Sequence, residues 1–370
     1  MIALLGVTFA VVLMFVELGF RNALLDSTVK LVEELNADII IINRSQQTLV
    51  SQQKFHRARI VQASAIDGVK AAHPVYLESL RSILKASGNR GLPIRVIAYD
   101  LGEPVLDVPG PDRYRGQLLA PNTAIFDTKS KSSFAIAMPD GRLSDRRVEL
   151  AGRELRIVGS FSFGTDFATD GNLIMSKENF SRYFPGRGLG SDPLSLVDIG
   201  LVQLENPSQA RKMRRRIKDA LPGDVAVYTK QDLIGTERDY WDRNTPVGVI
   251  FLIGTIMGFV VGMIICYQII YGDIVDHMKE FATLKAMGYR SSFFIKVIIQ
   301  QSVYLTVLGF IPGFVISLGI YYGLAYYTGL PLFLDVARSS LVLGLTLLMC
   351  ILSGCLAIQK LLTADPAELF

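Results

Sequence analysis

The sequence predicts an α-helical membrane protein with four transmembrane helices plus a large α+β extracytoplasmic domain, inserted between the first span and the other three. Half of the 370 residues are hydrophobic, and the mean hydropathy is +0.35. Only 19% are charged, against about a quarter in a soluble chain. The charges are also segregated. Asn22 to Pro246 holds 31 of the 38 Lys and Arg and 27 of the 34 Asp and Glu, which leaves 14 charges for the other 145 residues. That split separates a water-facing part from a lipid-facing part.

A helix needs about 20 apolar residues to cross a hydrocarbon core of about 30 Å. Ile2 to Phe20 is apolar except for Glu17, and Val247 to Tyr271, Val297 to Leu334 and Ser339 to Gln359 carry no charge. The third run exceeds one crossing and is interrupted by Ile311-Pro312-Gly313. Two half-length spans are one reading. One kinked span, about Ile298 to Leu324, is preferred, because membrane helices tolerate proline. Tyr321, Tyr322, Tyr326 and Tyr327 then form an interfacial belt. The spans are placed at 1–20, 247–271, 297–327 and 339–359, with a short outer loop at 328–338 and a tail at 360–370. The first run lacks a basic leader and a small-residue cleavage site, so it reads as an uncleaved anchor rather than a signal peptide. Lys279, Lys285, Arg290 and Lys296 lie between spans two and three, and only Arg338 between spans three and four. This bias puts the 272–296 loop and both ends in the cytoplasm and the large domain outside.

Within that domain, Asp38-Ile-Ile-Ile-Ile-Asn43 reads as a buried strand. Further strands are expected at Val69–Leu84, Ile94–Asp100, Val197–Leu204 and Val225–Tyr228. A weak helix is expected at Ala58–Ile66. Ser208 is expected to cap a helix to Leu221. Segments 36–112 and 194–230 form two halves of one α+β lobe. Residues 113–193 are read as a mostly β insertion, with short strands at Thr123–Phe126, Phe134–Met138, Val148–Ala151, Leu155–Phe163 and Leu173–Met175. Helical stems are expected at 21–35, with Leu24, Leu25, Thr28, Leu31 and Leu35 on one stripe, and at 231–246.

Enzymatic signatures are absent from the sequence. It holds no Gly-x-x-x-x-Gly-Lys-Ser/Thr phosphate loop, no Gly-x-Ser-x-Gly and no His-Glu-x-x-His. His56, His73 and His277 lack metal-ligand spacing. Asp166 to Gly171 has Ala168 where a calcium ligand belongs and Lys177 where a bidentate Glu belongs, so it reads as a turn. No catalytic, cofactor or metal residue is expected. Arg211, Lys212, Arg214, Arg215, Arg216 and Lys218 read as a solvated helix face, with a docking patch as the alternative. The net charge of +4 is too dispersed for nucleic acid. Cys266, Cys350 and Cys355 all lie in apolar runs, so the outer domain needs no disulfide.

Three groups of residues stand out in the membrane part. Gly254, Gly258 and Gly262 form a small-residue stripe for close helix packing, within the chain and in a homodimer. Gly309/Gly313 and Gly319/Gly323 repeat the pattern. Glu17 is expected to pair with Arg21 at i,i+4, with a place on a substrate path as the alternative. In the cytoplasmic loop, Phe281, Leu284 and Gly288 share one face of a short helix that Gly288 can end, flanked by Glu280 and Lys285. That face is expected to be a docking knob for a partner.

Glu280-Phe-Ala-Thr-Leu-Lys-Ala-Met-Gly288 resembles the coupling segment of FtsX-like (MacB-type) ABC transporter permeases. The tail Ala364-Asp-Pro-Ala-Glu-Leu-Phe370 resembles their C-terminal ending. One span, a large outer domain and three more spans is also that family's layout. Asp38 to Asn43 and Gly164-Thr-Asp-Phe167…Asp170-Gly-Asn-Leu-Ile-Met175 look most like the DevC branch, permease subunits of cyanobacterial tripartite exporters. The resemblance implies a homodimer in the bacterial inner membrane, with a separate ABC ATPase subunit that binds ATP docked on each coupling helix. It implies mechanotransmission through the stems to a periplasmic membrane-fusion adaptor and a TolC-like outer-membrane duct, in systems associated with glycolipid export. A non-transporting relay to cell-wall hydrolases and lipoprotein extraction are the alternatives within the same family. Many relatives carry a basic cytoplasmic helix before the first span, whereas this sequence opens in the apolar run, as from a late start or a truncated leader. Many also carry an acid where this chain has Gln300 and Gln301.

Overall fold

The computed structural model describes residues 2–86, 91–134, 136, 146–166, 168–328 and 332–363. Phe167, most of the expected strand after Phe134, and the tail motif Ala364 to Phe370 lie outside the described residues. The chain divides into two compact units. One comprises Met1–Ala23, Thr245–Tyr327 and Pro331–Phe370, and the other is essentially Leu24–Asn244.

The outer unit opens with the far end of α1 (Ile2–Glu34), followed by β1 (Ile39–Asn43), β2 (Phe55–His56), α2 (Ala58–Ser64), β3 (Val69–Glu78) and β4 (Ile83–Lys85). Next come β5 (Leu92–Pro93), β6 (Arg95–Tyr99), α3 (Arg115–Leu118), β7 (Thr123–Asp127), β8 (Arg146–Leu150) and β9 (Arg153–Phe161). The unit closes with β10 (Asn172–Ser176), α4 (Lys177–Tyr183), β11 (Leu196–Val197), β12 (Ile199–Leu204), α5 (Ala210–Ala220), β13 (Val225–Thr229) and α6 (Lys230–Arg243).

Among the described residues, eleven strands form one mixed sheet in the order β13-β1-β12-β3-β6-β10-β7-β9-β8-β4-β5. Residues 113–193, read as a mostly β insertion, carry β7, β8, β9 and β10. Their strands continue the same sheet through parallel β6–β10 and β7–β9 pairs, and they also contain α3 and α4. The continuous apolar run in β1 follows from its place in this sheet. Ile39 and Ile41 enter the core that holds Phe180 and Met213, while Ile40 and Ile42 enter the one that holds Leu31, Leu35 and Leu233. A strand buried on both faces loses the usual alternation.

Local corrections have simple causes. The expected strand Val69–Leu84 is broken after Glu78, whose carboxylate accepts the amides of Leu80 and Arg81 at 3.2 and 3.1 Å. The expected cap at Ser208 is displaced to Asn206, whose side chain accepts the Ser208 amide at 3.1 Å. Asn206 precedes Pro207, which favours extended backbone there and suits the first position of a helical turn. Between β8 and β9, Ala151 and Gly152 take φ of 50° and 79°, as a two-residue hairpin with the handedness of the sheet requires.

The membrane unit contains the first part of α1, then α7 (Pro246–Asp276), α8 (Met278–Ala286), α9 (Ser291–Thr328) and α10 (Val336–Thr363). Among the described residues, four helices are long and apolar enough to cross a membrane, and Pro312 lies inside α9. Little of the expected 272–296 loop is loop. Helix α7 runs to Asp276, α8 starts at Met278 and α9 at Ser291. Helix α1 is central. Its Val7, Ala10, Val11, Met14 and Phe15 are buried at helical spacing.

Candidate functional site

The glycines of α7 and α9 set the packing around α1. A Cβ on Gly258 would lie 3.3 Å from Leu13, and one on Gly262 would strike Ala10 and Met349. Cβ atoms on Gly309 and Gly313 would strike Val7 and Val11, and Thr8 Oγ1 donates to the Gly309 carbonyl at 3.3 Å. Gly319 and Gly323 face open space. The Gly254/Gly258/Gly262 stripe is therefore filled by α1 and α10 of the same chain. A contact between two copies would have to use another face.

Gly254 meets Glu17. A Cβ at Gly254 would lie 2.5 Å from the Glu17 carboxyl carbon, so the missing side chain makes the notch that receives the carboxyl. The Glu17 carboxyl thus lies against Gly254 of α7.

The expected docking helix is α8, and its orientation differs from expectation. Phe281 and Leu284 pack inward on Ile270, Ile274, Phe294, Ile298 and Ile358, and the Phe281 ring sits 5.8 Å from that of Phe294. They are half-buried rather than presented, because the core between α7, α9 and α10 takes up this apolar face. Glu280 lies on the exposed side, with an Oε2 3.2 Å from His277 Nδ1, and Lys285 is half-buried. Gly288 ends the helix at φ 92°, a conformation costly for any side chain, and its amide reaches the Lys285 carbonyl. The Tyr289 amide closes the same turn on Leu284.

The turn and the first residue faces of α9 present a different apolar group. Met287 is 64% exposed, Tyr289 46% and Phe293 38%, with the last two rings 4.8 Å apart. Sequence reading missed these three. The signal was their position around Gly288, where a C-terminal turn projects side chains away from the packed face. Behind them, Gln301 Nε2 donates to Asp273 Oδ2 at 2.6 Å, tying α9 to the end of α7.

In the outer unit the two stems touch. Arg238 of α6 lies 3.0 Å from Asp26 and 3.5 Å from Glu33 of α1. Lys230 Nζ donates to the carbonyls of Glu33 and Leu35 at 2.8 Å each, a cation at the C-terminal end of α1 where the helix dipole favours it. Of the expected stripe, Leu24, Leu31 and Leu35 are buried. One functional-looking residue of α6 escaped the sequence reading. Glu237 is 2% exposed and accepts the Leu49 amide at 2.7 Å. Burial pushes its carboxyl up to about 7, opposed by that hydrogen bond and by the Trp241 indole.

The segment from Gly164 to Met175 is held by buried polar contacts. Asp127 accepts the amides of Phe163 and Gly164 at 3.0 and 2.7 Å and Asn172 Nδ2 at 3.0 Å. Asp166 and Arg95 form a two-pronged pair at 2.5 and 3.0 Å, with side chains 5% and 8% exposed. Asp166 thus serves Arg95 and the amides of its own turn. On α5, Met213 and Ile217 are buried, Arg214 pairs with Asp232 and Arg216 with Asp67.

Two solved structures resemble part of the chain. One is the extracellular domain of the noncanonic ABC-type transporter YknZ from Gram-positive bacteria, 15% identical, covering 52% of this chain and 99% of that one, with a TM-score of 0.35. The other is the periplasmic region of MacB from Actinobacillus actinomycetemcomitans, 16% identical, covering 55% and 93%, with a TM-score of 0.36. Residues 251–366, from α7 through the exposed turn to the tail, match the family described as FtsX-like permease C-terminal.

Proposed function

We propose that the chain is the membrane-spanning permease subunit of an ABC exporter of the FtsX-like, MacB-type class, seated in the bacterial inner membrane with Leu24–Asn244 in the periplasm. The observation that carries this is the family match over residues 251–366, which encloses α8 and its exposed turn. These 370 residues hold no phosphate loop, and in this reading ATP is bound and hydrolysed by a separate ATPase subunit. That subunit docks on the turn through Met287, Tyr289 and Phe293, with Glu280 and Thr283 beside them. Phe281 and Leu284 hold the turn in place from beneath. The chain is not itself an enzyme and binds no cofactor.

In this reading two copies assemble as a homodimer, and the stroke of the ATPase reaches the outer unit by mechanotransmission. Arg238, Asp26 and Glu33 keep the two stems together during the stroke. A periplasmic membrane-fusion adaptor and a TolC-like outer-membrane duct complete the exporter. The likeness of Asp38–Asn43 and Gly164–Met175 to the DevC branch supports a glycolipid as cargo.

Co-expression with its ABC ATPase and affinity purification test the docking surface. Met287→Asp combined with Tyr289→Asp changes only exposed side chains. It is expected to lower recovery of the ATPase at least about tenfold, which corresponds to about 1.4 kcal/mol. Undiminished recovery would remove the turn from the interface.

A further inference from the structure

Two thiols face each other inside the membrane unit. Cys266 of α7 and Cys350 of α10 are both fully buried, with Sγ atoms 3.5 Å apart. The approach is built into both helices. Gly262, one turn before Cys266, leaves the space that Met349, next to Cys350, fills. Ser353, on the same stretch of α10, donates its hydroxyl to the Met263 carbonyl of α7 at 2.7 Å. These contacts bracket the cysteines and fix the register in which they meet. A disulfide has S–S of about 2.05 Å. The sulfurs therefore need to close by about 1.5 Å.

We propose that Cys266 and Cys350 are a covalent modification site, at which a lipid-soluble quinone forms an intrachain disulfide between α7 and α10. Each S–H bond breaks and one S–S bond forms. The two protons and two electrons pass to the quinone, which leaves as the quinol. A quinone suits the site because it shares the apolar phase and takes protons together with electrons, so no thiolate is left uncompensated in a dry interior. Water-soluble oxidants act on exposed thiolates, and these sulfurs are buried. The closed loop contains α8 and α9. Oxidation would therefore fix α7 against α10 on either side of the exposed turn and hold the membrane unit in one arrangement.

The test uses the full chain in membrane vesicles, in a Cys355→Ser background that removes the exposed third thiol. Vesicles are treated with decylubiquinone or with ferricyanide, which does not enter the bilayer. They are then denatured, and free thiols are tagged with a maleimide that retards the chain on a gel. Two tags per chain are expected before treatment, none after the quinone, two after ferricyanide, and two again after reduction, with the chain monomeric throughout. In the Cys266→Ser and Cys350→Ser variants the one remaining thiol is expected to keep its tag. Retention of two tags after quinone treatment overturns the proposal. So does loss of the tag in either single-thiol variant, which would mean oxidation of separate thiols, or a crosslinked dimer. Equal loss with ferricyanide overturns the assignment of a lipid-phase oxidant.

Discussion

Glu237 should make the outer unit less stable as the pH rises, which is the reverse of an ordinary ion-paired carboxylate. Its carboxyl titrates at about 7 in the folded chain against 4.5 as its ordinary value, with burial the main cause. The folded state therefore holds this proton more tightly than the unfolded state. The resulting stabilisation is complete below about pH 4.5 and is lost as the pH rises through about 7. At 1.36 kcal/mol per unit, the difference comes to about 3 kcal/mol between the two ends of that window. Trp241, the only tryptophan in the sequence, approaches the same carboxyl and is a built-in probe. Its emission in the full-length protein is expected to titrate with a midpoint near 7, and Glu237→Gln to abolish the titration. Thermal unfolding followed by the same signal should show the wild-type midpoint falling between pH 5 and 8. The Gln variant should be flatter and more stable than wild type at the alkaline end. A flat emission profile from pH 5 to 8, or equal pH dependence of the two unfolding midpoints, would refute the buried-acid argument.

Two further outcomes test the packing. Arg95→Met leaves Asp166 buried without its cation and is expected to cost about 3–5 kcal/mol, while Arg95→Met with Asp166→Asn, which removes the charge but keeps an acceptor for the turn amides, should recover part of that loss, read as thermal midpoints of the two variants. Gly262→Ile drives a branched side chain into Ala10 and Met349. A cost of about 1–3 kcal/mol or more is expected from overpacking, seen as reduced detergent-resistant folded protein, whereas Gly319→Ile, which faces open space, should leave it unchanged.

The sequence made some elements plain and hid others for definite reasons. The charge split exposed the two units, because lipid excludes charge over whole helices. The β1 run was legible because four consecutive isoleucines need two cores, and the sheet supplies both. Sheet continuity was hidden, because β6 meets β10 and β7 meets β9 across long stretches of chain, and no local pattern records a parallel neighbour. The glycine stripe announced a close contact but not its partner. A small surface reads the same whether α1 or a second copy fills it. The apolar face of α8 was misassigned as exposed for a related reason. Periodicity identifies Phe281 and Leu284 as one face, but only the neighbouring Phe294 and Ile358 decide which side that face takes. Glu237 did leave a signal. It lies one turn after Leu233, on the buried stripe of α6, where an acid is out of place.

The two connections between the units differ in kind, and the difference bears on how a stroke would pass. Helix α1 runs from Ile2 to Glu34, with Val7, Val11 and Phe15 in the membrane unit and Leu31 in the outer one. The second connection is not a continuous helix. Helix α6 ends at Arg243, the Asn244 amide closes its last turn on Tyr240, and Thr245 is extended at φ −117° and ψ 151° before Pro246 opens α7. Proline imposes that extended residue and removes the amide that could have bridged the gap. The hydrogen-bond ladder of α1 runs along its whole length, whereas the helical ladder is interrupted between α6 and α7. Under the proposed mechanism α1 is the driver, gripped in the membrane unit by the glycines of α7 and α9. Helix α6 follows it through Arg238, Asp26 and Glu33 rather than through α7.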